Sequence, residues 1–283
     1  MSQLFSLLLA NYNNSSFLAD CLESVYKQTY TNWEVIFIDD RSTDNSLQII
    51  NSYTEKGNRI KVFANDTNKG CGFTKARCVQ LASGEICGFL DTDDALTPNA
   101  LEIMVQKHEA HPDAAIVYSR RFHCNEKLKV YDVSEDDTDK FISQLATPLI
   151  NHFASFKKKM YDQTIGIDTY MKRAVDQDLY LKLEEKGKVI FIPDVLYLYR
   201  HNRNSISLDA NEYKAQAWHL YANSNACKRR NFSLDDYCEV IKVKEGKLKK
   251  AVLEFFLFFH RIKLKIASRK RLSSLSRKNK NLY

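Results

Sequence analysis

Short apolar runs alternate with segments of helical spacing through the first third of the chain. The runs occupy residues 5–9, 33–38, 60–64 and 86–90. Each run has the length of a strand, whereas the segments between them repeat their apolar residues every three or four positions. Strands that alternate with helices in this way predict an α/β fold, in which helices flank a mostly parallel sheet with right-handed crossovers.

The fourth run ends in three carboxylates within four residues, Asp91, Asp93 and Asp94. Carboxylates this close repel one another unless a cation lies among them, and ligands bind at the carboxyl edge of open α/β sheets. Mg²⁺ and Mn²⁺ prefer oxygen ligands and commonly bridge to a diphosphate. The segment therefore indicates a divalent metal site, although a solvated acidic turn that caps the next helix explains these residues equally well on their own.

Polar loops follow the other predicted strands in the same way. The first run breaks at residues 10–14, the second ends at Asp39 and Asp40, and the third leads into residues 65–72. Because parallel strands end at one edge of a sheet, we expect these loops to converge beside Asp91.

The positive charge of the chain is concentrated near its end. Residues 242–283 hold 14 Lys and Arg against two acids, which leaves 28 basic and 33 acidic side chains in the preceding residues. The body is therefore slightly acidic, and no nucleic-acid partner is expected for it. Hydrophobic and charged fractions of 44% and 27% are ordinary for a globular protein with an ample core.

Cysteine usage and the first residues of the chain bear on its compartment. The seven cysteines are odd in number and form no Cys-x-x-Cys pair, and no basic-then-apolar leader precedes the first strand. These features favour free thiols in a reduced, cytoplasmic protein.

An ordered set of motifs gives the chain a family resemblance. The motifs are Asn11-Tyr12-Asn13, Gln28-Thr29-Tyr30, Trp33-Glu34, Asp39-Asp40-x-Ser42-Thr43-Asp44, Asn68-x-Gly70, Ala76-Arg77 and Leu90-Asp91-x-Asp93-Asp94. In this order they resemble an inverting family 2 glycosyltransferase of the GT-A fold, of the type that makes bacterial cell-surface polysaccharides. The resemblance implies transfer of a sugar from a nucleoside diphosphate to an acceptor hydroxyl.

The resemblance also implies a donor site at the sheet edge. Its nucleotide-sugar-binding residues would be Ala10, Asn11, Tyr12, Asn13, Asp39, Asp40, Lys69, Gly70, Arg77, Asp91 and Thr92, with Asp93 as the ligand of Mg²⁺ or Mn²⁺. Asp94 would bind the same metal ion or orient the groups around it. The family often has Pro where this chain has Ala10 and Gly where it has Arg41. A helix-capping turn at residues 39–42 and a surface role for Arg77 remain as alternatives.

The catalytic base implied by the resemblance is Asp176. The segment Val175-Asp176-Gln177-Asp178-Leu179 is similar to the family's Glu-Asp-x-Asp-Leu, with Val175 in place of the Glu. Asp178 is the second candidate, and both acids would also suit the N-terminus of a helix without any catalytic role.

Further candidates lie in the second half of the chain. The segment after Tyr199 resembles the family's mobile loop and suggests phosphate or metal contacts for Arg200, His201 and Arg203. In the closest register the family's His falls on Asn202. By the same resemblance, His152 is expected to contact the acceptor.

The expected organisation is one GT-A domain over residues 1–210, with a nucleotide-sugar-binding half (1–118) and an acceptor-side half (119–210). Residues 211–283 would form a helical, basic extension. Its segment 251–266 is too short and too charged to cross a bilayer, but as an amphipathic helix it would lie on an anionic membrane surface. The alternative is a helix docked on the catalytic domain. The enzyme would then be cytoplasmic, or peripheral on the inner membrane.

The sequence thus predicts a metal-dependent transferase that moves a sugar, from a UDP-linked donor, to a cell-surface glycan or lipid-linked acceptor. A sugar-phosphate nucleotidylyltransferase would need a Gly-rich basic loop, which residues 10–14 lack. A catalytically silent glycan- or lipid-binding module would be favoured by loss of the acids, yet Asp91, Asp93 and Asp176 are present.

Overall fold

The apolar runs of the sequence form the parallel part of a large mixed sheet. The structure is a computed structural model that describes residues 2–55, 57–134, 143–146, 148–202 and 212–233. The strands in these ranges are β1 (Phe5–Asn11), β2 (Trp33–Asp39), β3 (Ile60–Ala64), β4 (Ile86–Phe89), β5 (Ala95–Leu96), β6 (Ala114–Cys124), β7 (Val130–Val133), β8 (Ala154–Lys157) and β9 (Lys188–Arg200). The helices are α1 (Ser15–Tyr26), α2 (Ser46–Thr54), α3 (Cys71–Leu81), α4 (Ala100–Ala110), α5 (Lys158–Tyr161), α6 (Val175–Glu184) and α7 (Glu212–Arg229).

The strand order is β3-β2-β1-β4-β8-β6-β9-β5, with β7 paired to β6. β1 is parallel to β2 and β4, and β2 is parallel to β3, as the alternation of strands and helices predicts. β8 joins this half to the rest of the sheet by antiparallel pairing with both β4 and β6. The predicted α/β architecture is therefore confirmed, with an antiparallel strand at its centre.

The core lies on both faces of the parallel strands. Leu7, Leu8 and Leu9 are all fully buried although they alternate between the two faces of β1. Helices cover both faces of such a sheet, so its strands are continuous apolar runs instead of alternating ones. This burial fixes the register of β1 against its neighbours, because no residue can turn outward without exposing apolar surface.

The parallel register brings the polar strand ends to one edge. Asn11 is paired with Asp39 at the ends of β1 and β2, and Leu8 is paired with Phe89 near the end of β4. Asp91 follows Phe89 by two residues at the same edge. The convergence that the sequence predicted is therefore present in the fold.

The long strand β9 covers two apolar segments of the sequence, residues 188–193 and 195–200, on either side of Asp194. In the structure its pairing with β6 continues past this point, but two residues of β9 are skipped between the pairs Ser119–Ile192 and Arg120–Val195. Pro193 is one of the skipped residues, and a bulge tolerates proline because it asks for no ladder hydrogen bond there. The continuous strand carries residues 197–202 to the same edge as Asp91.

The last described helix, α7, packs on α6. Arg230 donates to Glu184 and to the backbone oxygen of Leu181, and Arg229 pairs with Glu185. The chain divides into the units Met1–Asn231 and Phe232–Tyr283, and residues 234–283 of the second unit lie outside the described ranges, as does the predicted amphipathic segment 251–266. None of the helices in the described ranges is both long and apolar enough to span a bilayer.

The core histidine His108 gives a stability prediction. It lies on α4 with 1% of its surface exposed, and its Nε2 is 2.9 Å from Oγ of Ser155 on β8. Burial, with a smaller contribution from Lys157, lowers the pKa of His108 to about 3. Below about pH 6.5, His108 is therefore protonated in the unfolded chain but stays neutral in the folded one. The free energy of unfolding consequently falls by about 1.4 kcal/mol for each pH unit below pH 6.5.

We expect His108→Gln to remove this dependence, because glutamine does not titrate and still offers Ser155 a hydrogen-bonding partner. Urea unfolding of both proteins at pH 7, 6 and 5 tests it. The stability of the wild type relative to the variant should decline from pH 7 to pH 5. Parallel pH curves for the two proteins would contradict the assignment of a neutral, buried imidazole.

Candidate active site

Four charged side chains from four segments meet at the polar sheet edge. Lys75 Nζ, from α3, lies 2.8 and 2.9 Å from the carboxylate oxygens of Asp176 and 3.3 Å from Oδ1 of Asp91. His152 Nε2 lies 3.3 Å from Oδ2 of Asp91 and 3.6 Å from Oδ2 of Asp176. Each cation thus contacts both carboxylates. We call this group the charge cluster.

The charge cluster keeps its members ionised. Burial lowers the pKa of His152, but Asp91 and Asp176 outweigh burial and raise it to about 10. Burial raises the pKa of Asp176, but Lys75 and His152 outweigh burial and lower it below its usual value. Asp176 is also the second residue of α6, where the helix dipole favours a negative charge. At neutral pH the site therefore holds two carboxylates, an ammonium and an imidazolium.

Aromatic rings support the two cations. Lys75 Nζ lies 4.8 Å from the centroid of the Phe89 ring, and the His152 ring stacks on Tyr197 with centroids 5.3 Å apart. Cations lie favourably over the faces of aromatic rings, and the effect strengthens when water is excluded. These rings fix the directions from which the cations approach Asp91.

Glycine permits the close packing that brings Lys75 to Asp176. A Cβ atom at Gly72 would lie 2.6 Å from the backbone oxygens of both Asp168 and Met171. The N–H of Gly72 donates to the Met171 oxygen at 2.9 Å. The first turn of α3 can therefore touch the segment that precedes α6 only because position 72 has no side chain.

Asp93 is the acid at this edge that best suits a metal ion. Burial, and then the charge of Asp91, raise the pKa of Asp93 to about 6, and its Oδ2 accepts a 2.6 Å hydrogen bond from Asn202 Nδ2. A carboxylate with a raised pKa gains free energy from a nearby cation, and its oxygens match the preference of Mg²⁺ and Mn²⁺. Within the described ranges no group of three His, Cys, Asp or Glu side chains could by itself hold a metal ion.

Asp94 has a different environment from Asp93. Its two oxygens accept hydrogen bonds of 2.7 Å from the Tyr197 hydroxyl and from the backbone N–H of Arg200. Its side chain is buried, and burial followed by Asp93 and Asp91 raises its pKa well above the usual range. Asp94 therefore connects the acidic turn to β9, and a metal-binding or orienting role for it stays a prediction.

Arg200 holds the acidic turn at Asp93 in place through hydrogen bonds. Its Nε donates to the backbone oxygen of Asp93 at 2.6 Å, Nη2 pairs with Asp20 at 2.9 Å, and Nη1 donates to the backbone oxygen of Glu126. The guanidinium is buried in this position, so a phosphate contact for it stays a prediction. Arg203, the other arginine expected here, lies outside the described residues.

His201 belongs to a group of rings at the ends of β6 and β9. Its Nε2 lies 2.9 Å from Nδ1 of His123, and its ring packs against those of Tyr131 and Tyr199. Its neighbour Asn202 donates a hydrogen bond to Asp93. In the closest register of the family resemblance, Asn202 is also the residue that takes the place of the family's His.

Asp39 organises the end of β2. Its Oδ1 accepts a 3.0 Å hydrogen bond from Asn11 Nδ2, and its Oδ2 accepts one of 2.8 Å from the N–H of Ser42. The Asn11 side-chain oxygen in turn accepts from Thr92 Oγ1 at 2.9 Å. Three of the residues expected to bind the nucleotide, Asn11, Asp39 and Thr92, are thus buried and joined to one another.

Asp40 shapes the loop after β3. Its carboxylate accepts hydrogen bonds from the backbone N–H groups of Lys69 and Gly70, at 2.7 and 2.8 Å, and from Asn65 Nδ2 at 2.7 Å. Gly70 has a φ of +88°, which disfavours other residues. Arg77 braces the same loop by donating to Asn65 Oδ1 at 2.6 Å. The expected phosphate contacts of Lys69, Gly70 and Arg77 stay predictions.

The rim of the expected base-binding loop faces solvent. Tyr12 is 49% exposed, and Ala10, in β1, is partly buried. Asn13 accepts a 2.8 Å hydrogen bond from the N–H of Thr43 through its side chain. Arg41 is exposed and has a φ of +65°, a left-handed conformation that explains why glycine would also suit this position.

The two acids in the first turn of α6, Asp176 and Asp178, have different surroundings. Asp178 is buried with Lys182, and their Oδ2 and Nζ atoms are 2.5 Å apart. Asp176 is in the charge cluster, where part of its side chain is exposed. Only Asp176 therefore lies next to the acidic turn after β4.

Sequence reasoning assigned no role to three residues of the site: Lys75, Tyr197 and Asn202. A lysine in the first turns of a helix normally projects into solvent, so nothing in the sequence marked Lys75 for burial. Asn202 could have been given a role, because the family's His falls on it in the closest register. Nothing in the sequence distinguished Tyr197 from the other residues of its strand.

Comparisons with known proteins identify the family and the fold. The family model for Glycosyl transferase family 2 matches residues 6–179. Chondroitin synthase from Escherichia coli is 30% identical over 213 residues, which cover 73% of this chain and 30% of that protein. The glycosyltransferase GlyG from Streptococcus pneumoniae is 27% identical over 225 residues, with 73% of each chain covered.

Solved structures share the fold. TarS from S. aureus, in complex with UDP-GlcNAc, superposes with a TM-score of 0.65 at 21% identity, covering 77% of this chain and 66% of that one. The mannosyltransferase PcManGT from Pyrobaculum calidifontis, with GDP-Man and Mn²⁺, gives 0.61 at 19% identity, covering 80% and 64%. The sheet and flanking helices are those of a GT-A glycosyltransferase. The chain belongs to glycosyltransferase family 2.

We expect Lys75→Met to lower the free energy of unfolding by about 2 kcal/mol, because it leaves Asp91 and Asp176 near each other with less compensating charge. This loss is smaller than for a fully buried ion pair, because both carboxylates are partly exposed to water. Urea unfolding at pH 7 measures it. Lys69→Met is the matched control, since Lys69 pairs with the exposed Asp66 and should change stability by less than about 0.5 kcal/mol. Equal effects of the two substitutions would contradict a structural role for the charge cluster.

Proposed function

We propose that this glycosyltransferase carries out metal-dependent, inverting transfer of a sugar from a nucleoside diphosphate, UDP in particular, to a hydroxyl of a glycan or lipid-linked acceptor. The observation that carries the proposal is that Lys75 contacts both Asp91, at the donor edge of the sheet, and Asp176, on α6. A single side chain thus joins the expected donor-binding acid to the expected base, which supports the binding of donor and acceptor next to each other.

The donor would lie along the edge formed by β1, β2 and β4. Tyr12 and the adjoining loop are exposed where a base would bind, and Asp91 retains an exposed fraction that lets it accept hydrogen bonds from ribose hydroxyls. The complexes of TarS with UDP-GlcNAc and of PcManGT with GDP-Man support a nucleotide sugar as the donor. In this arrangement Asp39 and Asp40 act mainly by shaping the loops that line the site.

Asp93 would hold the divalent ion, with Asn202 and Arg200 fixing the turn that carries it. The ion, when bound, supplies positive charge to the diphosphate as it leaves. The presence of Mn²⁺ in the PcManGT complex supports a metal in this chain too.

Asp176 would act as the general base. As the acceptor oxygen bonds to the anomeric carbon, the bond from that carbon to the diphosphate oxygen breaks, and the acceptor proton passes to a carboxylate oxygen of Asp176. Lys75 and His152 hold this carboxylate ionised and fix its direction. Attack from the face opposite the diphosphate inverts the anomeric centre.

The names of the relatives support a polysaccharide acceptor. Chondroitin synthases from two bacteria and a hyaluronan synthase are among them, although the chain spans less than a third of each. A cytoplasmic enzyme held at the inner membrane by its basic residues 242–283 would meet lipid-linked intermediates of such polymers.

We expect Asp93→Ala to abolish the metal-dependent part of nucleotide binding, because it removes the carboxylate that suits the ion. Calorimetric titration of UDP, GDP and dTDP, each with and without Mn²⁺, measures this in the wild type and the variant. Asp113→Ala, which removes a surface carboxylate paired with Lys188, should bind as the wild type does. Metal-dependent binding of unchanged affinity in Asp93→Ala would rule out this ligand.

We expect Asp176→Asn to leave donor affinity near that of the wild type while turnover falls by about a hundredfold or more, as loss of a general base implies. Release of the nucleoside diphosphate from the donor that the titration identifies measures turnover. Asp178→Asn should instead lower stability, since it breaks the buried pair with Lys182. Normal turnover of Asp176→Asn would give the role of base to Asp178 or to the substrate.

A further inference from the structure

Three aromatic side chains form a patch beside the helix that carries Asp176. Tyr170 lies in the segment before α6, and Trp218 and Tyr221 lie on α7. Ring centroids are 6.4 Å apart for Tyr170 and Trp218, 6.0 Å for Tyr170 and Tyr221, and 5.8 Å for Trp218 and Tyr221. The hydroxyl groups of the two tyrosines share a hydrogen bond. We call these three residues the aromatic patch.

The aromatic patch is exposed although it is well supported. Tyr170 is 55% exposed, and the rings of Trp218 and Tyr221 are half-buried. The residue after Tyr170, Met171, accepts the hydrogen bond from Gly72 on α3. The rings are therefore held in place before any ligand binds, which reduces the entropy lost on binding.

The aromatic patch lies close to Asp176. Gln177, the next residue on α6, contacts Asn223 on α7 with a distance of 3.5 Å between Nε2 and Oδ1. Tyr170 is next to Met171, whose oxygen accepts from Gly72 on α3, and α3 also carries Lys75, which contacts Asp176. The segments that hold the patch therefore contact both helices, α3 and α6, that position the expected base.

The chemistry of the aromatic patch matches a sugar ring. A pyranose has faces of C–H groups and a rim of hydroxyls, and Tyr and Trp combine a flat apolar face with a polar tip. A lipid chain would be better served by aliphatic side chains, whereas each ring here carries an O–H or N–H group. His219 and Gln216, which are near Trp218 in the sequence of α7, are exposed polar side chains.

We propose that the aromatic patch is the acceptor subsite, and that it stacks a pyranose ring of a glycan acceptor on Tyr170 and Trp218. The proposal rests on the proposed function, because it gives Asp176 an acceptor hydroxyl to deprotonate. It also narrows the acceptor class: the enzyme recognises the sugar portion of its acceptor, whether or not that portion is attached to a lipid.

The test is saccharide binding by the full chain on an array of oligosaccharides ending in glucose, galactose, mannose, rhamnose, N-acetylglucosamine, N-acetylgalactosamine and glucuronate. Mn²⁺ and UDP are present, and nucleotide binding is measured separately on the same preparation. We expect the wild type to bind a subset of the array and Tyr170→Ala to bind it about tenfold more weakly, because one stacking face is lost. Tyr170→Phe keeps the ring and should bind within about twofold of the wild type.

Tyr131 provides a matched control, since it is an exposed ring (61%) on β7. Tyr131→Ala should bind the array as the wild type does. Fluorescence gives a second readout, because the chain has two tryptophans and Trp33 is buried in the core. A bound saccharide should therefore protect Trp218 from acrylamide quenching, and this protection should be lost in Tyr170→Ala.

Equal saccharide binding by Tyr170→Ala and the wild type would overturn the proposal, as would weakening in Tyr131→Ala alone. It would also be overturned if the wild type bound nucleotide and none of the saccharides, and in that case the proposed function would stand. Failure of the wild type to bind any nucleotide would count against the proposed function, while the saccharide results would still decide the role of the aromatic patch.

Discussion

The interaction on which the site depends is the contact of Lys75 with two carboxylates. Asp91 follows β4, in the parallel half of the sheet, and Asp176 begins α6, in the half that β8 connects to it. A buried lysine between them offsets a repulsion that would otherwise push the two halves apart. The same contact brings the donor edge of the sheet and the proposed base together.

The acids of this edge divide into those that shape loops and those that remain for a ligand. Asp40 and Asp94 are buried and accept hydrogen bonds from backbone N–H groups, so they fix the loop after β3 and the end of β9. Asp93 has a raised pKa and Asp91 keeps an exposed fraction. Asp40 and Asp94 are thus held by hydrogen bonds from the protein, and the proposed metal ion would offset the charge of Asp93.

The parallel half of the fold was predictable from sequence because its signals are local. Fully buried strands are continuous apolar runs, and each helix between them repeats its apolar residues at helical spacing. β8 was not predicted as the strand that joins the two halves. Its residues, Ala154–Lys157, are few and of mixed polarity, and their place between β4 and β6 depends on partners that are distant along the chain.

The sequence by itself determined the α/β class, the convergence of Asn11, Asp39 and Asp91 at one edge, and the candidacy of Asp176. The first two follow from the order of apolar and polar residues along successive strands, and the third follows from the family resemblance of residues 175–179. Only the tertiary structure decided which acids are compensated and which cations compensate them. Lys75 and His152 are far from Asp176 in sequence, and they reach it because Gly72 lets α3 touch the segment before α6 and because Tyr197 supports the imidazole ring. Such contacts depend on side-chain volumes and distances in three dimensions, which no pattern along the chain records.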